Sequence, residues 1–284
     1  MPPVQFETAG YVFGSGQSEL QRLIVQANDL KSETEWLLDH VGVKEGWRAV
    51  DIGCGPIGIL DMLSQRVGRS GRVVGVERET RFVEMAQAEI ARRRLTNATV
   101  VSGDALSADF EYGTFDLVHE RLVLINMPPS NQQALVDQMA ALARPGGTVA
   151  VASWDRASHV CYPQHPSWDI LDQAYREAVR TTNGDGAVGR TLPSLLRSAG
   201  ISSIRTKAHV RIVEIGELRR THRIEILKAA RRRILALGRM SENEFDTHLK
   251  AVAEHLDDPE TLLIDQLLVQ AWGQKITGVP TNPE

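Results

Sequence analysis

The run Arg48-Ala49-Val50-Asp51-Ile52 followed by Gly53-Cys54-Gly55-Pro56-Ile57-Gly58 constrains the fold more than any other stretch of the chain. It reads as a short buried strand that stops at a glycine-rich turn, with a helix beginning near Ile59. Glycines at a strand end let a ligand approach the backbone closely, and the helix that follows offers its N-terminal amides. The unit then repeats. Arg72 to Glu77 reads as a second strand with a helix over Thr80 to Arg94. Ala98 to Ser102 reads as a third strand and Phe115 to His119 as a fourth. Ser130 to Ala143 reads as a helix closed by Arg144-Pro145-Gly146-Gly147, and Thr148 to Ser153 as a fifth strand. Regular alternation of β-branched strands with helices predicts a parallel sheet covered on both faces.

The flanks are less regular. Residues 1 to 14 are broken by Gly10 and Gly14, and helical spacing begins at Ser18, with Leu20, Leu23, Ile24 and Ala27. Ser32 with Glu35 three residues on predicts a capped helix to Val41. Beyond Trp154, residues 155 to 167 read as a long loop and Ser167 to Arg180 as a helix. Leu192 to Ser198 reads as a short helix, and Ile201 to Ile215 as a long strand with Val210, Ile212 and Val213 inward. Glu217 to Leu237 and Glu242 to Leu256 are helical. Thr261 to Trp272 reads as a strand, although its leucines suit a helix too. The basic run Arg219, Arg220, Arg223, Lys228, Arg231, Arg232, Arg233 reads as the solvated face of an amphipathic helix, with Ile224, Leu227, Ile234 and Leu235 on its apolar side.

Composition narrows the function class. The 284 residues are 42% hydrophobic and 24% charged, ordinary for a globular chain with a substantial core. A net charge of −4 supplies no general attraction for nucleic acid or anionic membrane. The basic helix lacks the interleaved aromatic residues of a nucleic-acid surface. Two distant cysteines, Cys54 and Cys161, predict a reduced, cytoplasmic chain. No apolar run approaches the roughly 18 residues of a membrane span, and Met1 to Glu7 has no signal-peptide pattern.

Ligands of an open parallel sheet bind outside the C-terminal strand ends. Four groups fall there: Asp51 with the glycine turn, Glu77, Asp104, and Glu120-Arg121. Gly53-x-Gly55-x-x-Gly58 formally matches a dinucleotide fingerprint, with Glu77 at a distance suited to a ribose. Asp51 argues against a pyrophosphate, which it would repel, and for an ammonium group, which it would attract. With Asp104 on the same edge, the set suits a ribose-bearing, cationic ligand. S-adenosylmethionine has those features.

Val50-Asp51-Ile52-Gly53-Cys54-Gly55 resembles motif I of class I S-adenosylmethionine-dependent methyltransferases. Val73-Val74-Gly75-Val76-Glu77-Arg78, Val101-Ser102-Gly103-Asp104-Ala105, Phe115 to Leu124 and Leu142 to Val149 resemble their later motifs. Gly10 to Gly14, Glu19 to Leu23, Gln26, and Gly189 to Pro193 resemble the small-molecule subgroup of ubiquinone/menaquinone-biosynthesis type. The resemblance implies a Rossmann-like doubly wound sheet of about seven strands, mostly parallel with an antiparallel edge strand. It adds an N-terminal helical cap (1–45), a core (46–215), a C-terminal helical insertion (216–260), and a final core strand and tail (261–284). It implies that Asp51, Gly53, Cys54 and Gly55 hold the methionine part of the donor. Glu77 would bind the ribose hydroxyls, with Arg78 flanking the adenine. Asp104 and Ala105 would meet the adenine amino group. Glu120 and Arg121 would lie under the sulfonium region, and Tyr11 and Gln26 would close the pocket.

The expected reaction is methyl transfer to a small, apolar or aromatic natural product or quinone-like acceptor. His119 ends a strand beside the donor and, with Tyr11, is the candidate catalytic group. Tyr11, Trp154, Tyr162, His165 and His222 are the candidate acceptor contacts, with His159 a further polar candidate. Asn126-Met127-Pro128-Pro129 is read as a helix start rather than the Asn/Asp-Pro-Pro-aromatic motif of nucleic-acid methyltransferases. Glu120 and Asp155 alone do not form a metal site. Enzymes of this kind often dimerise. The alternatives are a nicotinamide-dependent oxidoreductase using the glycine turn, and a non-catalytic donor-binding module.

Overall fold

The computed structural model describes residues 23, 25–56, 58–106, 111–180 and 186–276. Its strands are β1 (Arg48–Ile52), β2 (Arg72–Glu77), β3 (Ala98–Ser102), β4 (Phe115–Arg121), β5 (Ala143–Asp155), β6 (Val160–Tyr162), β7 (Ile201–His209), β8 (Leu262–Ile264) and β9 (Leu267–Lys275). Its helices are α1 (Lys31–Val41), α2 (Leu60–Val67), α3 (Thr80–Arg93), α4 (Pro129–Leu142), α5 (Pro166–Arg180), α6 (Leu192–Ser198), α7 (Leu218–Ala236) and α8 (Glu242–Asp257). The main sheet follows the order β3-β2-β1-β4-β5-β9-β7, and β6 with β8 forms a second, two-stranded sheet. The chain divides into two compact units, residues 1–108 and 109–284.

In the first unit β1, β2 and β3 are parallel, with Asp51 opposite Gly75 and Glu77 opposite Ser102. Ala49, Val50, Leu63, Val67 and Val73 are fully buried, so both faces of these short strands are covered. Asn97 ties α2 to the start of β3. Its amide donates to the carbonyls of Ser64 (3.0 Å) and Gly68 (2.7 Å). The expected cap at Ser32 is absent. Helix α1 starts one residue earlier, at Lys31, with Leu30 at the N-cap position. Ser32 therefore lies inside the helix, and its hydroxyl donates to Glu33 (2.8 Å). A capping box does form at α8, where Ser241 and Glu244 exchange hydrogen bonds.

In the second unit β4 and β5 are parallel, while β9 runs antiparallel to both β5 and β7. The mostly parallel sheet with an antiparallel strand is thus borne out, and that strand, β9, lies one place in from the β7 edge. The long strand expected over Ile201 to Ile215 stops at His209. Its partner β9 begins at Leu267, and the pairing of His209 with Leu268 is the last rung. Beyond it the chain changes sheets: Ile212 bridges Ile264, and the Val213 amide donates to the Leu263 carbonyl (2.9 Å). Val210 (63% exposed) and Ile212 (51%) consequently face outward, contrary to expectation, and Val213 alone turns inward. The expected loop over 155–167 contains β6, and Thr261 to Trp272 divides into β8 and β9.

Helices α5, α7 and α8 share an apolar core of Trp168, Leu171, Tyr175, Leu227, Ile234, Phe245 and Val252. Here the solvated reading of the basic run needs correction, because Arg220 (6% exposed) and Arg223 (3%) are buried. The Arg220 guanidinium donates to four carbonyls: Leu256 (2.5 Å), Val213 (2.6 Å), Asp258 (3.2 Å) and Thr261. A buried charge persists when its donors are satisfied in this way.

Candidate functional site

The glycine turn occupies the C-terminal end of β1. Gly53 (φ 64°), Gly55 (φ 61°) and Gly58 (φ 53°) all adopt the left-handed conformation. A Cβ on Gly58 would stand 2.3 Å from the Cys54 carbonyl oxygen and 3.2 Å from Asp51 Oδ2, whereas one on Gly55 would meet nothing within 4 Å. Gly58 is thus required by close approach, and the outer side of the turn is open at Gly55. Beneath it, the Cys54 amide donates to the Val76 carbonyl (3.0 Å), which fastens the turn to β2. The Cys54 side chain is buried, and a Cβ on Gly75 would approach its sulfur to 2.7 Å.

Asp51 (3% exposed) and Glu77 (8%) are both buried at this edge. The Glu77 carboxylate accepts from the Gly55 amide (3.0 Å) and the Glu79 amide (2.9 Å). Burial raises its pKa above the ordinary carboxylate value, and these amides pull the other way. Burial, and then the Asp51 and Glu77 charges, push the Cys54 thiol well up, so it stays protonated and unreactive. Asp104 is half-buried after β3 and accepts from the Leu106 amide (2.8 Å), with Ala105 inside that turn. Arg78 is exposed and pairs with Glu79 at 3.5 Å. Gln26 is half-buried ahead of α1, its carbonyl accepting from the Leu30 amide (3.1 Å). Tyr11 lies outside the described residues.

The other candidates belong to the second unit and do not form one group. His119 and Glu120 are fully buried near the end of β4. Glu120 accepts from the amides of Val123 (2.9 Å) and Leu124 (3.4 Å), capping the short helical turn Leu124–Asn126. Arg121 is half-buried. Trp154 lies next to the last residue of β5, with the Arg219 guanidinium 5.4 Å above its ring. Tyr162 is 68% exposed. His165 accepts from the Ser167 amide (3.2 Å) and lies 4.8 Å from the His255 ring. His222 is half-buried on α7. His159 stands 3.4 Å from Asp265, which also pairs with Arg219. Burial lowers its pKa to about 4, the nearby Asp265 countering and Arg223 adding to the shift. The sequence reading missed Arg219, Arg223, Asp172 and Asp265. For Arg219, Arg223 and Asp172 the signal was charge at core spacing in α5 and α7, whereas Asp265, between β8 and β9, carried none.

This geometry has counterparts among known proteins. Residues 49–147 match the methyltransferase-domain family. The class I methyltransferase resemblance of the motifs is thereby borne out. A demethylmenaquinone methyltransferase of Anoxybacillus flavithermus is 30% identical over 122 residues, 42% of this chain and 51% of that protein. The nocamycin O-methyltransferase of Saccharothrix syringae is 33% identical over 115 residues, 40% of each chain. The chain spans about half the length of the curated relatives it matches. Among solved structures, phosphoethanolamine N-methyltransferase 2 of Haemonchus contortus, in complex with S-adenosyl-L-methionine, superposes with a TM-score of 0.53 at 19% identity. The match covers 87% of this chain and 53% of that one, and it shows a shared fold.

Proposed function

We propose that this protein is an S-adenosylmethionine-dependent methyltransferase acting at C, N or O of a small, apolar or aromatic natural product or quinone-like acceptor. The observation that carries the reading is the pair of buried carboxylates, Asp51 and Glu77, beside three left-handed glycines. A pyrophosphate would meet two negative charges there, whereas a sulfonium and an α-ammonium are attracted. Glu77 accepts hydrogen bonds in the manner a ribose diol requires, and the backbone amides of Gly55 and Glu79 hold it in place. The residues fit the donor, with Gly55 leaving the approach open.

When bound, the donor would supply an already activated methyl group. The protein's task is then to position the groups and exclude water. Asp51, Gly53 and Gly55, with the Cys54 backbone, would hold the amino-acid portion, Glu77 the ribose, and Asp104 with Ala105 the adenine edge, Arg78 lying alongside. Gln26 and Tyr11 would complete the enclosure. Glu120 and Arg121 are proposed for the sulfonium region, although Glu120 already caps a turn. Trp154, Tyr162, His165, His222 and Tyr11 are the proposed acceptor contacts. His119 or Tyr11 would take a proton where the acceptor must lose one. We assign residues 1–45 to a cap and 216–260 to an acceptor-side insertion, flanking a core of 46–215 completed by the strand in 261–284. We also propose a cytoplasmic homodimer. No helix among the described residues is long and apolar enough to cross a membrane.

Titration calorimetry tests the reading. S-adenosylmethionine should bind the wild-type chain, and Asp51→Asn should weaken binding tenfold or more. Binding of NAD(P)H with none of S-adenosylmethionine would transfer the turn to an oxidoreductase. Turnover of any small acceptor would exclude a non-catalytic module.

A further inference from the structure

A second charged cluster lies in residues 109–284, where β5 ends and α5 meets α7. Three guanidinium groups converge there. Arg156 follows β5 directly, Arg176 belongs to α5, and Arg223 to α7. They share one carboxylate. Arg223 pairs with one oxygen of Asp172, and Arg176 with the other at 2.5 Å. Arg156 instead donates to the Tyr175 hydroxyl at 2.9 Å, a neutral partner. Among the described residues, three positive charges thus face one negative.

The surroundings sharpen this imbalance. The Arg223 guanidinium lies 4.7 Å from the Tyr175 ring centroid and 5.7 Å from that of Trp168. Its side chain is almost wholly buried. Burial lowers its pKa, Asp172 and then Tyr175 oppose that, and the charges of Arg156 and Arg176 add to it. The Nε–H groups of Arg156 and Arg176 are shielded from solvent and reach no acceptor among the described residues. Unsatisfied buried donors are destabilising, and like charges crowded in a low-dielectric region repel. Arg156 is itself only half-buried, so the cluster can be reached from solvent.

We propose that Arg156, Arg176 and Arg223 bind an oxyanion, carboxylate or phosphate, carried by a small-molecule ligand of residues 109–284. The inference goes beyond the methyltransferase reading and stands on this cluster alone. Guanidinium forks match the oxygens of either anion in paired hydrogen bonds. The two unmatched Nε–H donors supply part of that set. Trp168 and Tyr175 give the adjoining wall an aromatic character that suits an apolar body. Arg156 stands at the C-terminal end of a parallel strand, the edge at which open α/β sheets take ligands.

Calorimetry at constant ionic strength, with benzoate, phenyl phosphate and neutral benzamide as probes, tests this. At least one of the two anions should bind saturably and benzamide should not; which anion binds identifies the group. Arg156→Gln should weaken that binding at least tenfold, and Arg156→Lys by less. Tyr175→Phe, which removes only the hydroxyl that accepts from Arg156, should retain it. The proposal is overturned if neither anion binds, if benzamide binds equally well, if Arg156→Gln has no effect, or if Tyr175→Phe costs as much as Arg156→Gln. A parallel S-adenosylmethionine titration separates the two readings. Donor binding without anion binding defeats this inference alone, and anion binding without donor binding defeats the methyltransferase reading alone.

Discussion

Glu77 is a carboxylate whose environment works against its charge. Burial raises its pKa, and the amides of Glu79, Gly55 and Arg78 only partly offset the loss of water. Its folded value therefore lies above the ordinary carboxylate value of 4.5. The folded chain holds that proton to higher pH than the unfolded chain does. Its stabilising contribution is complete below pH 4.5 and is lost as pH rises through the folded pKa. The difference in melting temperature between wild type and Glu77→Gln should accordingly fall as pH climbs from about 4 and then level off. A difference that grows with pH would mean that the amides dominate over burial. In the same variant, affinity for S-adenosylmethionine should drop tenfold or more near pH 7, because a glutamine offers one acceptor where a ribose diol needs two. Such a residue is costly to the empty fold and useful to a ligand, which is the pattern expected of a binding group.

At the scale of elements, α7 carries charge in two different senses. Arg220 reaches four carbonyls drawn from the ends of α8, the turn before β8 and the chain after β7. Arg232, three turns further on, is exposed. Arg220→Ala should destabilise the protein by on the order of 3 kcal/mol, since buried carbonyls lose their donors. Arg232→Ala should change stability by less than about 0.5 kcal/mol. Urea unfolding of the two variants measures both, and similar losses would contradict the assignment. The sequence pattern did not separate these arginines. Amphipathic counting assigns every basic residue to solvent, and only knowledge of which carbonyls end nearby reveals that Arg220 has a reason to be inside. The same limit explains Ser32. A Ser with Glu three residues on satisfies the capping pattern, yet the helix begins at Lys31 and takes Leu30 as its cap position.

For the whole molecule, legibility follows the length over which a pattern repeats. Strands β1 to β5 are readable because their buried runs end at or beside a glycine or an acid, and β1, β2 and β4 are followed by helices of regular period. That regularity also puts Asp51, Glu77 and Asp104 at one sheet edge, which is the part of the candidate site that residue order alone makes visible. The remainder depends on partners distant in sequence. Val210 and Ile212 continue the apolar alternation of β7, but β9 offers no backbone beyond Leu267, so they turn outward. Tyr162, His165 and Trp154 look equivalent as polar or aromatic candidates, and tertiary position alone distributes them between surface and core. The charged cluster on α5 and α7 joins residues more than forty positions apart, such as Asp172 and Arg223, beyond any local motif.

The placement of β9 between β5 and β7 also sets an order of events during folding. β7 hydrogen-bonds within the sheet to β9 alone, and its pairing joins Ile201 to Lys275 at one end and His209 to Leu268 at the other. β7 thus has no sheet partner until residues 267–275 have been synthesised. Hydrogen-exchange pulse labelling during refolding should find the amides of β1 and β2, whose partners are nearby in sequence, protected before those of β7. Protection of β7 ahead of β9 would contradict this order. Contacts of such long sequence separation slow folding. Until it is joined, the nascent chain exposes a bare edge at β5, which any other extended strand can occupy. The synthesis of residues 267–275 is therefore the step that covers this edge against neighbouring chains on the ribosome.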